Sequence, residues 1–377
     1  MLVILTNIPT PYRTSFFNEM ALACQSANIA FRVLYCAQSE RGRQWKWDEK
    51  QQKYHYKFLK GFHPVYKHYT AHLNVGVLHE LRQLQPKWLI ISGAWNIPTM
   101  MLAQIFGRAQ YKIFWSEGHE NAEIIRNYII SWVRKSILKG YRYFIVPNEL
   151  SKNYILNMGI SVRHFFYVPN TIEEAYYCSS NKSKFLLRKE WKISSEAVVF
   201  SQISALTQRK GVLELCQAFI NLPESQDIYL YIAGEGPLSK DIQELLYNHP
   251  QKKRIILTGH LSQLQIKELL HLSDFFILNS NADPNPISSI EAAAAGLPLL
   301  LSNKTGNCRE LVSEGINGWI IDKNNDTSLP EVLKKALQSD SKVVQNMGLK
   351  SKEIIINKFS TQAVVNEFIN DILIKLK

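Results

Sequence analysis

The chain has 377 residues, of which 46% are hydrophobic and 20% are charged; this composition is that of a soluble globular protein with room for two domains, and it excludes wholesale disorder. No apolar run reaches the roughly 18 residues of a transmembrane helix, and the first residues lack the basic leader and long apolar core of a signal peptide. The five cysteines are scattered without a C-x-x-C pair, which argues against a zinc site or a disulfide framework and favours a reducing cytoplasm.

The net charge of +12 is unevenly distributed along the chain. Residues 1–170 contain 21 Lys and Arg against 9 Asp and Glu, whereas the remaining residues contain 23 of each. A one-sided positive field attracts an anionic partner, which can be a membrane surface, a phosphate-linked molecule or nucleic acid. A basic surface that only faces solvent is the alternative.

The first elements predict a βαβ unit. A buried-type strand at 2–6 is followed by a proline-containing loop, a helix that starts near Thr14 or Ser15, and a second strand at 29–36. No G-x-G-x-x-G follows the first strand, which weakens a dinucleotide-binding interpretation. Residues 40–70 are basic and aromatic without a clear period, a composition typical of single-stranded nucleic-acid binders and also of sugar-binding and interfacial loops. We interpret them as a mobile excursion of the first domain on its acceptor side.

Further strands are predicted at 88–93, 111–118, 142–147 and 164–169, with helical segments between them. This alternation predicts a parallel sheet that is covered on both faces. The predicted helix at 123–139 combines an apolar side with four basic residues. An in-plane membrane helix has this pattern, and so does a helix that packs on the core; we favour core packing.

The sequence W-S-E-G-H-E at 115–120 lies at the end of the fourth predicted strand. In open α/β sheets, ligands bind outside the carboxyl ends of the strands. Glu117 and His119 are therefore placed at a predicted cleft, where a carboxylate or an imidazole can act as a general base. A lone histidine is also commonly structural, so His119 and Glu117 remain alternatives.

A second βα series begins after the segment V-P-N-T-I-E-E at 168–174, and we place the domain boundary near residue 172. Its first strand leads into a basic pair, Arg209 and Lys210, followed by a glycine. The next strand ends in G-E-G-P, where Gly234 and Gly236 let the backbone turn sharply or approach a ligand closely.

The stretch 274–300 predicts a strand, a polar loop with two prolines, and a helix that stops at Gly296. Unpaired backbone amides at Ile287 and Ser288, with the helix dipole behind them, form an anion site that most often holds phosphate. Two carboxylates, Asp283 and Glu291, lie on either side of seven residues, and acidic groups beside a phosphate site suit a ribose diol. The stretch therefore predicts a site for a sugar nucleotide.

The string D-P-N-P-I-S-S-I-E-A, followed by G-L-P, resembles the acidic-x7-Glu motif of the family 4 glycosyltransferases, which are retaining enzymes of the GT-B fold. The resemblance extends from about 195 to 325. It implies an α/β protein with two Rossmann-like βαβ domains that face each other across a cleft, and C-terminal helices that cross back. We expect an acceptor-binding domain at 1–171, a domain binding the nucleotide sugar at 172–360, and a crossover helix at 361–377.

The same resemblance implies roles for individual residues. Asp283, where the family more often has Glu, would hold hydroxyls of the donor sugar, and it joins His119 and Glu117 as a catalytic candidate. The usual arginine five positions before Lys210 is replaced by Ala205, and Arg209 is expected to supply the missing charge. The expected donor-binding residues are Arg209, Lys210, Gly234, Gly236, Asn285, Pro286, Ile287, Ser288 and Glu291. Tyr12 and Arg13, in a loop that resembles the family's acceptor loop, are expected to contact the acceptor.

The expected function is that of a cytoplasmic retaining glycosyltransferase. It would move a sugar from a nucleotide-diphosphate donor, a UDP- or GDP-sugar, to a hydroxyl of a glycan or lipid-linked acceptor in the assembly of O-antigen, capsule or lipopolysaccharide. We expect no cofactor, no metal site and no nucleic-acid partner, and we expect the positive first domain to contact the anionic inner face of the cytoplasmic membrane. The alternatives are a nucleic-acid-binding protein that uses the basic aromatic half, and a GT-B sugar-nucleotide epimerase.

Overall fold

The computed structural model describes residues 1–40, 48–66, 69–118, 127–223 and 227–376, apart from the side chains at positions 11, 12, 66 and 69. The chain divides into two compact units. Unit 1 consists of Met1–Thr171 together with Thr361–Lys377, and unit 2 consists of Ile172–Ser360. Each unit is built on its own parallel sheet.

Unit 1 contains a seven-stranded sheet in the order β3-β2-β1-β6-β7-β8-β9 and a small antiparallel hairpin, β4-β5. Every pair in the large sheet is parallel. Because β2 lies on one side of β1 and β6 on the other, the strand order reverses at β1. The strands are β1 Leu2–Thr6, β2 Phe31–Tyr35, β3 Tyr56–Phe58, β4 Val65–Tyr66, β5 Tyr69–Thr70, β6 Trp88–Ser92, β7 Tyr111–Trp115, β8 Tyr143–Val146 and β9 His164–Tyr167.

Helices connect the strands of unit 1, and the last helix of the chain completes it. They are α1 Pro11–Ser26, α2 Val77–Leu84, α3 Pro98–Phe106, α4 Tyr128–Leu138, α5 Glu149–Asn157 and α15 Thr361–Lys375. Helix α15 packs beside α1, and its buried side chains join one core with those of α1 and the sheet. Phe368 meets Phe166 of β9 edge to face, with ring centroids 5.7 Å apart.

Unit 2 contains a six-stranded parallel sheet in the order β12-β11-β10-β13-β14-β15, so the order reverses between β10 and β13. The strands are β10 Val198–Ile203, β11 Ile228–Ala233, β12 Ile255–Gly259, β13 Phe275–Leu278, β14 Leu299–Ser302 and β15 Gly318–Ile321. The helices are α6 Glu174–Cys178, α7 Lys184–Glu190, α8 Val212–Ile220, α9 Ser239–Tyr247, α10 Gln263–Leu272, α11 Ile287–Ala295, α12 Cys308–Leu311, α13 Ser328–Gln338 and α14 Ser341–Lys358. The predicted α/β class with two Rossmann-like units is confirmed.

Two local predictions were wrong. Helix α1 begins at Pro11 with Thr10 as its N-cap, three or four residues earlier than predicted. Proline suits the first helical position, because its fixed φ is already helical and its missing N–H would have had no partner there. The second error concerns 40–70, which we interpreted as a mobile excursion on the acceptor side. Strand β3, at 56–58, pairs with β2 and extends the sheet, while residues 41–47 and 67–68 lie outside the described residues.

Helix α4 also differs from the favoured interpretation. Arg134 and Leu138 turn inward, but Tyr128, Ile129 and Trp132 are 95%, 72% and 68% exposed. Among the apolar residues that were predicted to share one side of this helix, Ile129 and Trp132 are therefore on the surface, whereas Val133 and Ile137 are half-buried. Among the residues described, no helix is both long and apolar enough to cross a membrane.

Candidate functional site

The candidate site of unit 2 lies where its strand order reverses. Lys210 ends the short 3-10 turn Gln208–Lys210 that follows β10, and Asp283 lies in the loop that follows β13. These strands are neighbours and parallel, so their carboxyl ends meet at the same edge of the sheet. Doubly wound sheets bind their ligands at this position.

The two loops are joined by a buried ion pair and by backbone hydrogen bonds. The Lys210 ammonium contacts the Asp283 carboxylate, and the two side chains are only 12% and 7% exposed. The Arg209 carbonyl accepts hydrogen bonds from the amides of Asn281 and Ala282, at 2.8 and 3.1 Å. The Arg209 guanidinium donates to the Ala282 carbonyl at 3.2 Å. The basic pair is therefore held against the loop that carries the first acid of the motif.

Helix α11 presents its N-terminus to this site, as predicted. Its N-cap is Pro286, and no side chain in the described chain caps its first amides, so the N–H groups of Ile287 and Ser288 stay available to a ligand. The Pro286 carbonyl accepts hydrogen bonds from Ser289 Oγ and Asn307 Nδ2, both at 2.9 Å. Asn285, the preceding residue, is buried. The helix ends at Gly296, whose φ of +86° closes it in the left-handed conformation.

Glu291 lies on α11 with a partner that the sequence reasoning missed. The Tyr177 hydroxyl, from α6, donates to Glu291 Oε1 at 2.7 Å. Burial raises the pKa of Glu291, and the hydrogen bond from Tyr177 partly offsets the rise. Burial, and then the charge of Glu291, raise the pKa of Tyr177. No motif marks a tyrosine 114 residues from its carboxylate partner, so only the fold reveals this contact.

Gly234 and Gly236 bring two loops of unit 2 close together. A Cβ atom at Gly234 would meet the backbone of Ser204, and one at Gly236 would meet the backbone of Leu206. Gly234 also has a φ of +139°, which side chains rarely adopt. The two glycines thus allow the loops after β10 and β11 to touch. That Gly234 and Gly236 contact a donor stays a prediction.

Unit 1 has a pocket of about 340 Å³ at the carboxyl ends of β1, β6 and β7. Like the site of unit 2, it lies where the strand order reverses. The described residues that line it are Thr6, Asn7, Ile8, Thr10, Arg13, Glu40, Ser92, Gly93, Ala94, Trp115, Glu117 and Gly118.

Two predicted residues meet in this pocket. The Arg13 guanidinium, on α1, pairs with the Glu117 carboxylate, and the Glu117 side chain keeps 37% of its exposure. The guanidinium carbon also lies 3.7 Å from the ring centroid of Trp115. The structure therefore joins an acceptor candidate to a general-base candidate. His119 and the side chain of Tyr12 lie outside the described residues.

A third charged residue of the pocket, Glu40, was not predicted. It follows β2, and its Oε1 lies 2.8 Å from Nε2 of His72 and 3.4 Å from Nδ2 of Asn7. The signal that could have found it is its position, because Glu40 comes shortly after the carboxyl end of a predicted strand beside β1.

Comparison with known proteins agrees with this geometry. Residues 183–353 match the family described as Glycosyl transferases group 1. Among curated proteins, the chain is 26% identical over 201 residues to N-acetyl-alpha-D-glucosaminyl L-malate synthase of Bacillus anthracis, covering 53% of this chain and 51% of that protein. It is 28% identical over 215 residues to the UDP-Gal:alpha-D-GlcNAc-diphosphoundecaprenol alpha-1,3-galactosyltransferase of Escherichia coli, covering 55% and 52%. The chain thus spans about half the length of these relatives.

Solved structures share the fold over the whole chain. Anabaena Alr3699/HepE in complex with UDP superposes with a TM-score of 0.76 at 14% identity, covering 100% of both chains. A glycosyltransferase from Rickettsia africae gives a TM-score of 0.73 at 16% identity, covering 100% of this chain and 98% of the other. Similarity at this level establishes the fold, and the predicted resemblance to GT-B glycosyltransferases is confirmed. The segment that matches the family model, residues 183–353, lies within unit 2.

Proposed function

We propose that the chain is a retaining glycosyltransferase that moves a sugar from a nucleotide diphosphate to a hydroxyl of a glycan or lipid-linked acceptor. The observation that carries the proposal is the arrangement in unit 2. Lys210, Asp283 and the free N-terminus of α11 converge where the strand order reverses, and Glu291 lies one turn further along that helix. A further curated relative, the capsular polysaccharide biosynthesis glycosyltransferase CapM of Staphylococcus aureus, is 24% identical over 264 residues. It supports a place in the assembly of a cell-surface polysaccharide such as capsule, O-antigen or lipopolysaccharide.

In this proposal the donor diphosphate binds at the amides of Ile287 and Ser288. Lys210 would turn from Asp283 to the diphosphate, and Arg209 beside it would add charge. Developing negative charge on the departing diphosphate is then stabilised by groups that are already in position. Asp283, released from Lys210, accepts hydroxyls of the donor sugar, and Glu291 accepts the ribose hydroxyls while Tyr177 holds one of its oxygens. The structural neighbours described with UDP and UDP-glucose support a nucleotide-sugar donor, and we propose a UDP- or GDP-sugar.

The acceptor side of the reaction is assigned to the unit 1 pocket. Arg13 orients the Glu117 carboxylate, which would receive the proton of the acceptor hydroxyl, with His119 as the alternative base. The proposed contacts with the donor also include Gly234, Gly236 and Asn285. The proposed contact with the acceptor also includes Tyr12.

We also propose that unit 1 contacts an anionic membrane surface through α4, on the inner face of the cytoplasmic membrane. Tyr128, Trp132, Lys135 and Lys139 are spaced by four, three and four residues, so they follow one face of the helix. Exposed aromatic rings beside lysines suit the headgroup region of an anionic bilayer.

Vesicle sedimentation tests the membrane contact. Wild-type protein should sediment with vesicles that contain phosphatidylglycerol and much less with neutral phosphatidylcholine vesicles. Trp132→Ser should weaken this binding, whereas Ile105→Ser, at an exposed apolar position on α3, should not. Equal binding to both vesicle types would remove the membrane contact from the proposal.

A thermal-shift panel tests the central proposal. One nucleotide diphosphate among UDP, GDP, ADP and their sugars should raise the melting temperature of the full chain by mass action. Lys210→Ala and Glu291→Gln should lose the shift. Lys253→Ala is a matched control, because Lys253 is an exposed lysine in a similar 3-10 turn at the other end of the sheet. No shift with any nucleotide, or an equal loss in the control, would contradict the proposal.

A further inference from the structure

The hairpin between β3 and α2 forms a two-stranded ribbon with a fixed register. Backbone hydrogen bonds of 3.0 Å join Phe62 and Leu73 in both directions, and the Ala71 amide donates to the Pro64 carbonyl, also at 3.0 Å. The same register continues through β4 and β5. Because successive residues of an extended ribbon point to opposite sides, Phe62, Pro64, Ala71 and Leu73 share one side. We call these four residues the outer ribbon face.

The opposite side of the ribbon is anchored to unit 1 by polar contacts. Asn74 Nδ2 donates to the Cys36 carbonyl at 2.9 Å. His72 lies opposite His63, with their Nδ1 atoms 2.9 Å apart, and Nε2 of His72 lies 2.8 Å from Glu40 Oε1. The side chains of His72 and Asn74 are buried. The polar side of the ribbon therefore faces the protein.

The outer ribbon face consists of apolar side chains at the surface. Phe62 and Leu73 are 69% and 40% exposed, Pro64 is exposed, and Ala71 is half-buried. Val75, which directly follows the ribbon, is 67% exposed. A ribbon that packs on a protein normally turns its apolar side inward, because burial of apolar surface is favourable. The reversed pattern here is typical of an interaction surface.

The charge of the same segment indicates what this surface binds. Residues 50–79 contain five lysines and no Asp or Glu, and residues 1–170 carry the whole positive excess of the chain. Lys60, two residues before Phe62, is exposed. Apolar side chains beside cations suit a bilayer with anionic headgroups, because the apolar groups enter the interface while the cations attract the phosphates.

The size of the surface favours a membrane over a second protein. A stable protein interface takes about 800 Å² from each partner, contributed by about 20–30 residues. The outer ribbon face and Val75 together provide five residues, far fewer than such an interface needs. A bilayer requires no matching partner surface, and a few apolar side chains add to the electrostatic attraction.

We propose that the outer ribbon face inserts into the headgroup region of an anionic membrane, as a second contact in addition to α4. His72, on the inner side of the ribbon, contacts Glu40, which lines the unit 1 pocket. The inserted ribbon therefore holds this pocket close to the bilayer surface. A lipid-linked acceptor, rather than a free glycan, presents its sugar at that position, and this choice of acceptor class rests on the proposed function.

Vesicle sedimentation of the full chain with matched variants tests the inference. Phe62→Ser should bind phosphatidylglycerol vesicles about tenfold more weakly than the wild type, because the aromatic side chain no longer enters the interface. Phe62→Trp should bind at least as tightly as the wild type, since tryptophan suits the membrane interface. Phe185→Ser is the control, because Phe185 is a 68% exposed phenylalanine in unit 2, and it should leave vesicle binding unchanged.

Unchanged vesicle binding by Phe62→Ser, or an equal loss in Phe185→Ser, would overturn the inference. Leu73→Ser, on the other strand of the ribbon, should weaken binding in the same direction, and it serves as the second variant if Phe62→Ser does not fold. Sedimentation velocity checks the alternative occupant. If the wild type were a dimer and Phe62→Ser a monomer, the ribbon would be an interface between copies of this chain and the inference would be wrong.

The nucleotide thermal shift, measured on the same samples without vesicles, separates this inference from the proposed function. Phe62→Ser should keep the wild-type shift, because Phe62 belongs to unit 1 and the nucleotide is assigned to unit 2. A wild type that binds vesicles through Phe62 but shows no shift with any nucleotide would contradict the proposed glycosyltransferase and support the ribbon contact. A normal nucleotide shift with full vesicle binding by Phe62→Ser would overturn the ribbon contact alone.

Discussion

The two candidate sites occupy equivalent positions in their sheets but are assembled in different ways. The site of unit 2 takes its residues from two loops and one helix start, and two of its members lie in one short motif between Asp283 and Glu291. The pocket of unit 1 depends on pairs that are 32 residues apart, for Glu40 and His72, and 104 apart, for Arg13 and Glu117. The part of a site that lies in one continuous segment can be recognised from sequence. Contacts between distant residues need the fold, and in unit 2 these include Lys210 with Asp283, 73 residues apart, and Tyr177 with Glu291, 114 apart.

The largest expected effect is a loss of stability in unit 1 alone, caused by a substitution in α15. Phe368→Ala should destabilise unit 1 by about 3–5 kcal/mol, because a large buried side chain is lost and leaves a cavity. Hydrogen exchange measured by mass spectrometry should show faster exchange in the unit 1 strands and unchanged exchange in the unit 2 strands. Ile374→Ala, at an exposed position of the same helix, should leave hydrogen exchange unchanged in the strands of both units. If hydrogen exchange became equally faster in the strands of both units, the two units would not unfold independently after loss of the Phe368 side chain.

The second prediction compares the two ion pairs. Lys210→Met should lower the free energy of unfolding by about 3 kcal/mol, because it leaves the buried Asp283 carboxylate without its lysine partner. Arg13→Met should cost about 1 kcal/mol, because Glu117 keeps 37% of its exposure and water can solvate it. Urea unfolding of both variants measures the difference. A larger cost for Arg13→Met would reverse our ranking of the two pairs.

The third prediction separates backbone conformation from close packing. Gly211 and Gly315 both have positive φ, of +60° and +73°. A Cβ atom at Gly211 would meet the carbonyl of Asn279, whereas one at Gly315 would meet nothing within 4 Å. Alanine at either position should cost about 1–2 kcal/mol for the left-handed conformation, and Gly211→Ala should cost about 1 kcal/mol or more beyond that because the loops of the unit 2 site are forced apart. Equal melting temperatures for the two variants would contradict the close contact.

The last prediction concerns Tyr177, and its size depends on pH. Tyr177→Phe should cost about 1.5 kcal/mol at neutral pH, because it removes a hydrogen bond to a charged group. The pKa of Glu291 is already raised, so its contribution to stability is fully present below the ordinary carboxyl pKa and is lost as the pH rises through the folded-state value. Tyr177→Phe removes the hydrogen bond that lowers this pKa, so the pKa of Glu291 rises further.

The deficit of Tyr177→Phe should therefore grow as the pH rises from acid to neutral, which thermal melts across that range will show. Tyr176→Phe is the matched control on the same short helix, since the contact of Lys267 with the Tyr176 ring, at 4.4 Å, survives the loss of the hydroxyl. A deficit that is independent of pH would mean that Tyr177 does not bond to the charged form of Glu291.

The sequence predicted the architecture and the two ends of helix α11 for physical reasons, and the site residues named in unit 2 stay predictions. Continuous apolar runs identify strands buried on both faces, and the proline, serine and glycine signals placed both ends of α11. Sequence reasoning found Arg13 and Glu117 separately but not their pairing. It missed Glu40, His72 and Tyr177, because their importance comes from partners that only the packed chain brings within reach. The exposure of Trp132 was also misjudged, since an apolar stripe on a helix does not reveal what it faces.

The position of α15 has a consequence for how the protein is made. The core of unit 1 needs side chains from the last helix, although the rest of unit 1 ends at Thr171. A ribosome must first synthesise all of Ile172–Ser360, which takes roughly 10–40 s at typical elongation rates of 5–20 residues per second. Throughout that time, the surface of unit 1 that α15 will cover, including Phe166, is exposed on the nascent chain. We therefore expect unit 2 to reach its native state first and unit 1 to be the part that engages chaperones during translation.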